Sequence, residues 1–389
     1  MNRFVLSLLG ACVVLASPPA RAEFSSCVAS LKAEAARAGI SDRTLDAAFA
    51  GLQPDMKVLD LQKQQPEFKI PIWDYVAGLV DDERVADGKT AMARYAQALA
   101  RAEQTFGVSR YMLAAIWGVE SNFGTEMGER PLVQSLSTLS CYGARAGYFR
   151  SELMATLKII DRGDIPAEKL SGSWAGAFGQ TQFMPSSFLR LAVAGSDGRR
   201  DIVDSADAAL ASTANYFRKS GWRPGLSWGF EVRLPPGYSG PSGRKAKQSM
   251  SFWAARGVTR IDGRRLGSGD AGLLLPAGRD GPAFLVTKNF DVVYSYNAAE
   301  SYSLAACLLA DRLAGGPGLV APWPTDDPGL SRAERRELQA LLIKRGYDVG
   351  APDGAIGRKT REAVADFERK NGMAVNGRAS AKVLEALRR

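Results

Sequence analysis

Residues 114–124 read AAIWGVESNFG, and the reading of this stretch decides the fold. An apolar run this continuous belongs inside a helical core, and its spacing predicts a helix capped at Ser109 and stopped by a left-handed Gly124. Such a helix carries Glu120 in its last turn. Leu113, Ile116 and Trp117 precede it by seven, four and three residues and share its face. The carboxyl group therefore meets apolar side chains and the unpaired carbonyls at the negative end of the helix. Both disfavour the anion and raise the pKa. A carboxylic acid that keeps its proton near neutral pH is what a general acid for glycosidic cleavage must be. The competing reading of this stretch alone is a Glu that snorkels to solvent or pairs with an Arg.

Outward from this stretch the pattern stays helical. CVASLKAEAARAGI (27–40) ends on Gly39, SDRTLDAAFAGL opens on Ser41 as an N-cap, and KTAMARYAQALARAEQTFG fills 89–107. SADAALASTANYFRKSG returns to helix at 205–221. Between Trp222 and Tyr296 the texture changes, and SWGFEVRLPPGYSG and FLVTKNFDVVYSYN read as short β runs bounded by Gly and Pro. ESYSLAACLLADRLAGG then supplies one more apolar helix. A Pro/Gly-rich linker covers 316–330, and 331–389 forms a small piece with its own core. The expected architecture is mainly α (α+β): a helical region over 23–315, with a small β insertion at about 222–296, and a C-terminal helical domain.

The chain has 389 residues, 46% of them hydrophobic and 23% charged, and a formal net charge of +9. It contains no histidine. That excludes Ser-His-Asp and Cys-His catalysis and every histidine metal site. No CxxC pair or GxxxxGK[ST] loop replaces them. Lys and Arg are dispersed, without the aromatic-basic alternation of nucleic-acid surfaces. A mild positive excess in an exported chain suits an anionic envelope polymer. Export itself is read from residues 1–22, where Asn2-Arg3, an apolar run and SPPARA fit a secretory signal cleaved after Ala22. That run is too short for a membrane span, and no second stretch reaches spanning length. LGAC at 9–12 is an alternative, lipoprotein-type processing site that would leave a lipid-anchored Cys12. Cys27, Cys141 and Cys307 remain, and three cysteines allow three single disulfide pairings.

Two further stretches carry chemistry. GSWAGAFGQTQFMPSSF (172–188) combines glycines that permit close backbone approach with the amides Gln180 and Gln182 and the rings of Trp174, Phe178 and Phe183. These groups suit a sugar, whose ring stacks and whose hydroxyl and acetamido groups want hydrogen bonds. YSYNAAESY contributes Tyr296, Asn297 and Tyr302 between the β region and a helix. Together with AAIWGVESNFG, with QQPEF at 64–68, and with YSYNAAESYSLA, these motifs resemble the lytic murein transglycosylase B family over residues 24–315.

The resemblance implies a lysozyme-like helical core, a second helical region and a small β domain around a groove. It also implies non-hydrolytic cleavage of the MurNAc-GlcNAc bond of peptidoglycan, giving a 1,6-anhydro-MurNAc. By motif, Glu120 takes the catalytic carboxylate. Ser173 and Gln182 fall at the reacting sugar, Phe183 offers a flat face to the substrate, and Tyr75, Tyr296, Asn297 and Tyr302 fall on groove positions. A hydrolase of this bond needs two carboxylates; no second acid stands in the motifs. The alternatives are a hydrolytic muramidase and a non-catalytic wall-binding scaffold. The family often has a calcium loop after the Gln-rich motif. Here VAGSDGRRDIVD (193–204) puts Val193 and Gly195 where side-chain oxygens belong, so a plain turn with no metal is expected. The segment from 331, with GAPDGAIGRKT between apolar helical stretches, resembles the three-helix peptidoglycan-binding domain. The implied partners are glycan strands and other cell-wall enzymes, in the periplasm or cell envelope.

Overall fold

The computed structural model describes residues 19–62 and 70–389. Cys12, most of the signal segment and QQPEF lie outside the described residues. Among these there are seventeen α-helices and seven short strands, so the chain is mainly helical with a small β component.

Apolar burial organises the chain around four cores. The largest gathers Leu99, Leu113, Ile116 and Trp117 with Leu210, Phe217, Leu304 and Leu309. It is built where the helices Ala96–Phe106, Arg110–Ser121, Ala206–Lys219 and Glu300–Leu313 meet. The expected helix at 89–107 is two helices, Asp82–Arg94 and Ala96–Phe106. Tyr95 breaks the run at φ −109°, ψ 26°, and its ring then meets Trp117 edge-on at 5.2 Å. A second core joins Leu31, Leu45 and Phe49 to Leu136, Phe149, Leu153, Phe178 and Phe188. Cys27 and Cys141 are disulfide-bonded across it, and Cys307 is a buried thiol in the first core.

The β component is a two-stranded pair, Arg130–Pro131 with Ser171–Gly172, and a five-stranded antiparallel sheet ordered Gln248–Ser249, Asp270–Leu274, Ala283–Val286, Gly229–Arg233, Thr259–Arg260. In the larger sheet both faces are used. Phe284 and Val286 face the Trp117 core, while Ala283 and Leu285 face a small core of their own with Val232 and Trp253. Residues 284–297 are not the β run that their composition suggests. The strand stops at Val286, and Lys288–Tyr296 is helical. Thr287 caps that helix by accepting from the Asn289 amide, and burial of Phe290, Val292 and Val293 on one face overrides the β preference of Val and Tyr.

Residues 316–330 contain neither helix nor strand, yet they are packed. Trp323 lies on the first core, and the backbone amides of Val320 and Ala321 donate to the Glu231 carboxylate at 3.0 and 2.7 Å. Beyond them Arg332–Lys344, Arg358–Lys370 and Ala381–Arg388 enclose Leu338, Leu342, Val364, Phe367 and Leu384. A capping box of Ser331 and Glu334 starts this unit. Glu368 is buried because it accepts the amides of Asn376 and Gly377, both at 2.8 Å.

Candidate active site

Glu120 sits half-buried in the last turn of Arg110–Ser121. Both ends of that helix differ from expectation. Ser109 occupies the N-cap position but makes no side-chain cap, and the Arg110 amide donates instead to Glu103 Oε1 at 3.0 Å. At the other end three consecutive residues are left-handed: Asn122 (φ 47°), Phe123 (φ 59°) and Gly124 (φ 86°). The stop therefore begins at Asn122, two residues earlier than Gly124. Non-glycine residues there cost roughly 1–3 kcal/mol each and persist only where the surroundings fix them. The surroundings are on hand. Phe123 fills the space left by Gly118, whose Cβ would come within 2.6 Å of its ring. The ring also meets Trp117 edge-on at 5.8 Å. The Ser121 hydroxyl accepts the Gly124 amide and donates to the Gln180 carbonyl at 2.5 Å, which ties the Glu120 helix to the second motif.

That second motif is a compact hairpin. Phe178 and Phe183 exchange backbone hydrogen bonds at 3.0 Å, and Ser171–Gly172 pairs with Arg130–Pro131. Gly172 is required because a Cβ there would fall 2.0 Å from the Ala177 carbonyl oxygen. Ser173 Oγ accepts the Ala177 amide at 3.1 Å. Gln182 adopts φ 51°, and its Nε2 donates to the carbonyls of Met127 and Gly179. Both amide protons are thus committed, and the acceptor Oε1 is the group left to offer. Gln180 is buried and ties the loop to Ile202 and Val203.

Two aromatic assignments change. Phe183 is 2% exposed. Its ring packs edge-on against Tyr216 and Tyr296, near 6 Å from each, so it cannot stack on a sugar. Tyr302 is also 2% exposed, and its hydroxyl donates to Glu120 Oε1 at 2.5 Å. It lies beneath the carboxylate rather than along an open groove. Burial first, then the neighbouring Glu120 charge, pushes the Tyr302 phenol well above its ordinary pKa, so it stays a donor. Tyr296 is raised for the same reasons and donates to the Thr181 carbonyl at 2.6 Å. Tyr75, half-buried on Ile72–Leu79, packs against the Trp117 core and lies near enough to Tyr302 to influence its titration. Asn297 is half-buried at the C-cap of Lys288–Tyr296. The chain thus gathers Glu120, Tyr302, Tyr296 and Tyr75 around one carboxylate. Glu126 and Glu129, the next acids along the chain, are exposed.

Sequence reading missed Ser121 and Asn122. Asn is the commonest non-glycine residue in a left-handed cap, so ESN carried a usable signal.

The acids of loop 193–204 and its surroundings are each engaged. Asp197 pairs with Arg199 at 2.9 Å, Asp207 with Arg101 at 2.8 Å, Asp164 with Arg200 at 2.6 Å and Asp204 with Lys169. Asp201 Oδ1 accepts the amides of Val203 and Asp204, both at 2.9 Å. A cavity of about 760 Å³ lies beside this loop, lined by Arg94, Arg101, Arg199 and Asp207, and includes none of the Glu120 constellation.

A half-buried carboxylate at the end of an apolar helix, on a lysozyme-like helical core with a docked three-helix module, points to a glycan-cleaving class of protein. Residues 23–311 match the transglycosylase SLT domain family, and residues 331–387 match the peptidoglycan binding domain family. The chain belongs to the lytic transglycosylase family. It is 35% identical over 246 residues to the membrane-bound lytic murein transglycosylase B of Escherichia coli, a match spanning 62% of this chain and 66% of that one. SltB3 of Pseudomonas aeruginosa, solved in complex with NAG-NAM-pentapeptide, superposes with a TM-score of 0.76 at 42% identity, over 94% of this chain and 99% of its own. Slt35 of E. coli, solved in complex with calcium, superposes at 0.65 with 30% identity, over 76% and 93%.

Proposed function

We propose that Glu120 is the single acid–base group with which this peptidoglycan lytic transglycosylase cleaves the β-1,4 bond between MurNAc and GlcNAc. What supports it is the placement of one half-buried carboxylate at the end of an apolar helix, with Oε1 held by the buried Tyr302 hydroxyl. Oε2 then carries the transferable proton. Glu120 gives it to the bridging oxygen as the C1–O bond breaks, and the MurNAc acetamido oxygen stabilises the positive charge growing at C1. Glu120 next takes the proton of the C6 hydroxyl while O6 closes on C1, which regenerates the acid and yields the 1,6-anhydro sugar. One carboxylate suffices because no water is activated, in contrast to the pair a hydrolase uses. Ser173 and Gln182 Oε1 meet the reacting sugar, Tyr75, Tyr296 and Asn297 border the strand, and Phe183 acts through the ring of Tyr296.

The C-terminal module holds murein, and the loop at 193–204 folds on its own ion pairs without a metal. Among the described residues no helix is long and apolar enough to cross a membrane. The reading places the enzyme in the periplasm after cleavage at Ala22. Mass spectrometry of the mature amino terminus separates this from a lipid on Cys12.

The test is mass analysis of products from purified sacculi. Anhydro-muropeptides are expected from the parent and none from Glu120→Gln, which still binds sacculi. Reducing MurNAc ends would mean a hydrolase, and wild-type turnover by Glu120→Gln would remove the assignment.

A further inference from the structure

The wall-binding module reaches the end of the Glu120 helix. Arg332, the first residue of helix Arg332–Lys344, sends Nη1 to Asn122 Oδ1 at 2.9 Å. Asn122 is the left-handed residue that stops the helix two positions after Glu120. The same guanidinium binds Asp81 Oδ2 through Nε at 3.2 Å and Asp87 through Nη2 at 3.0 Å, while its backbone amide also donates to Asp81. Asp81 caps the helix Asp82–Arg94 by accepting the Arg84 amide at 2.7 Å. Arg84, itself buried, donates to the Gly118 carbonyl in the last turn of the Glu120 helix. Two routes from Arg332 therefore converge on one turn, directly at Asn122 and through Asp81 and Arg84 at Gly118.

The side chains are shielded: Arg332 is 13% exposed and Asp81 4%. A charge-assisted bond in such a setting resists screening and holds geometry better than a surface pair. The Asn122 turn is strained, and strain persists only where neighbours over-determine it. Catalysis by one carboxylate that must meet the bridging oxygen and then the C6 hydroxyl depends on placement within a fraction of an ångström.

We propose that Arg332 is a positioning residue for the reaction. The C-terminal module fixes the Asn122 cap, and through it the Glu120 carboxylate, in addition to holding murein. This rests on the acid–base reading of Glu120. The module thus forms part of the frame of the active site.

The experiment is a double-mutant cycle in the full-length protein, with kcat and KM measured on soluble glycan strands and melting temperature recorded for each variant. Arg332→Ala removes the donor. Asn122→Gly removes the acceptor while keeping a residue at ease with positive φ, so it guards against a simple loss of docking. Each single variant is expected to lower kcat about tenfold or more with KM within twofold, and the double variant to lose little beyond either single one. Arg336→Ala, which deletes the Glu83 pair from the rim of the same interface, is expected to leave kcat unchanged. Single variants with parental kcat, or losses that multiply in the double variant, overturn the proposal, as does an equal loss in Arg336→Ala. Glu120→Gln run alongside keeps the readings apart. A Glu120→Gln enzyme that turns over sinks the acid–base assignment, whereas an inactive one beside parental Arg332→Ala and Asn122→Gly sinks only the positioning role.

Discussion

Tyr302 has one hydroxyl proton, and Glu120 takes it as a hydrogen bond at 2.5 Å. Because burial and the Glu120 charge hold that phenol well above its ordinary pKa, the bond persists across the working pH range. Glu120 becomes an anion as its proton passes to the bridging oxygen, and a hydrogen bond to a charged group is worth about 1.5–3 kcal/mol, so Tyr302→Phe is expected to lower kcat roughly 10- to 100-fold. KM should change little, since a buried hydroxyl does not reach the strand, and steady-state kinetics on soluble strands separates the two. A half-buried acid lies on the helix that carries Tyr302. Asp311 accepts from Trp228 Nε1 at 3.1 Å, and burial pushes its pKa up to about 6 from an ordinary 3.8. Between those values the folded state binds more protons than the unfolded chain, so stability falls as pH rises through the window. The cost at pH 8 is on the order of 3 kcal/mol. Asp311→Asn keeps an acceptor for Trp228 and carries no charge. Urea unfolding should show it more stable than the parent at pH 8 and nearly equal at pH 4, and an advantage independent of pH would contradict the argument. The apolar setting of Glu120 was legible because it is local and periodic. Tyr302 and Phe183 were placed in the groove instead of beneath it, since helical spacing does not tell which face of a wholly apolar element is wet.

Among elements, the first helix shows how distant parts are held. The Cys27–Cys141 bond closes a loop with a sequence separation of 114 and joins Pro19–Arg37 to Leu132–Tyr142. Closing a loop of that length restricts the unfolded chain by about 5 kcal/mol. Replacing both cysteines by alanine should lower the melting temperature by several degrees while sparing kcat at permissive temperature, because the Glu120 helix packs in the first core, around Trp117, and the disulfide lies on the second. Counting cysteines left three pairings, and only the fold chooses among them. Loop 193–204 sets its acids against basic side chains. Val193 and Gly195 lack ligand oxygens, and nearby acids pair with Arg101, Lys169, Arg199 and Arg200. Calcium or a chelator is accordingly expected to leave the melting temperature unmoved. A calcium-dependent rise of several degrees would show that the cation displaces those pairs. At 284–297 β-branched residues misled, because Thr287 supplies an N-cap exactly where the strand ends, and a cap signal read ahead of the Val pair would have found the helix.

Across the whole molecule the joint between catalytic region and wall-binding module is made of shielded charge. Arg378 grips the Asp74 carboxylate with two bonds of 2.6 Å, and it donates to the Asp327 carboxylate at 2.7 Å and the Asp327 carbonyl at 2.6 Å. Arg335 donates to the Asp74 carbonyl at 2.9 Å. Asp74 neighbours Tyr75 on one helix, and Asp81 caps the next, so the module rests on the two helices that lead to the site. None of this was legible, because the partners lie some 250 to 300 residues apart and arginines at 332 and 378 look like ordinary surface charge. Asp74 is 10% exposed at its side chain and Arg378 21%. Removing one partner of such a pair leaves the other desolvated and costs about 3–5 kcal/mol. If that joint couples the two parts, the parent unfolds in one calorimetric transition even at elevated salt, since shielded pairs are poorly screened. Arg378→Ala strands Asp74 and should split the trace in two, with the small C-terminal core melting first because few apolar groups hold it. A single transition in that variant at the parental temperature would mean that the packed strap around Trp323, rather than the arginines, holds the module in place.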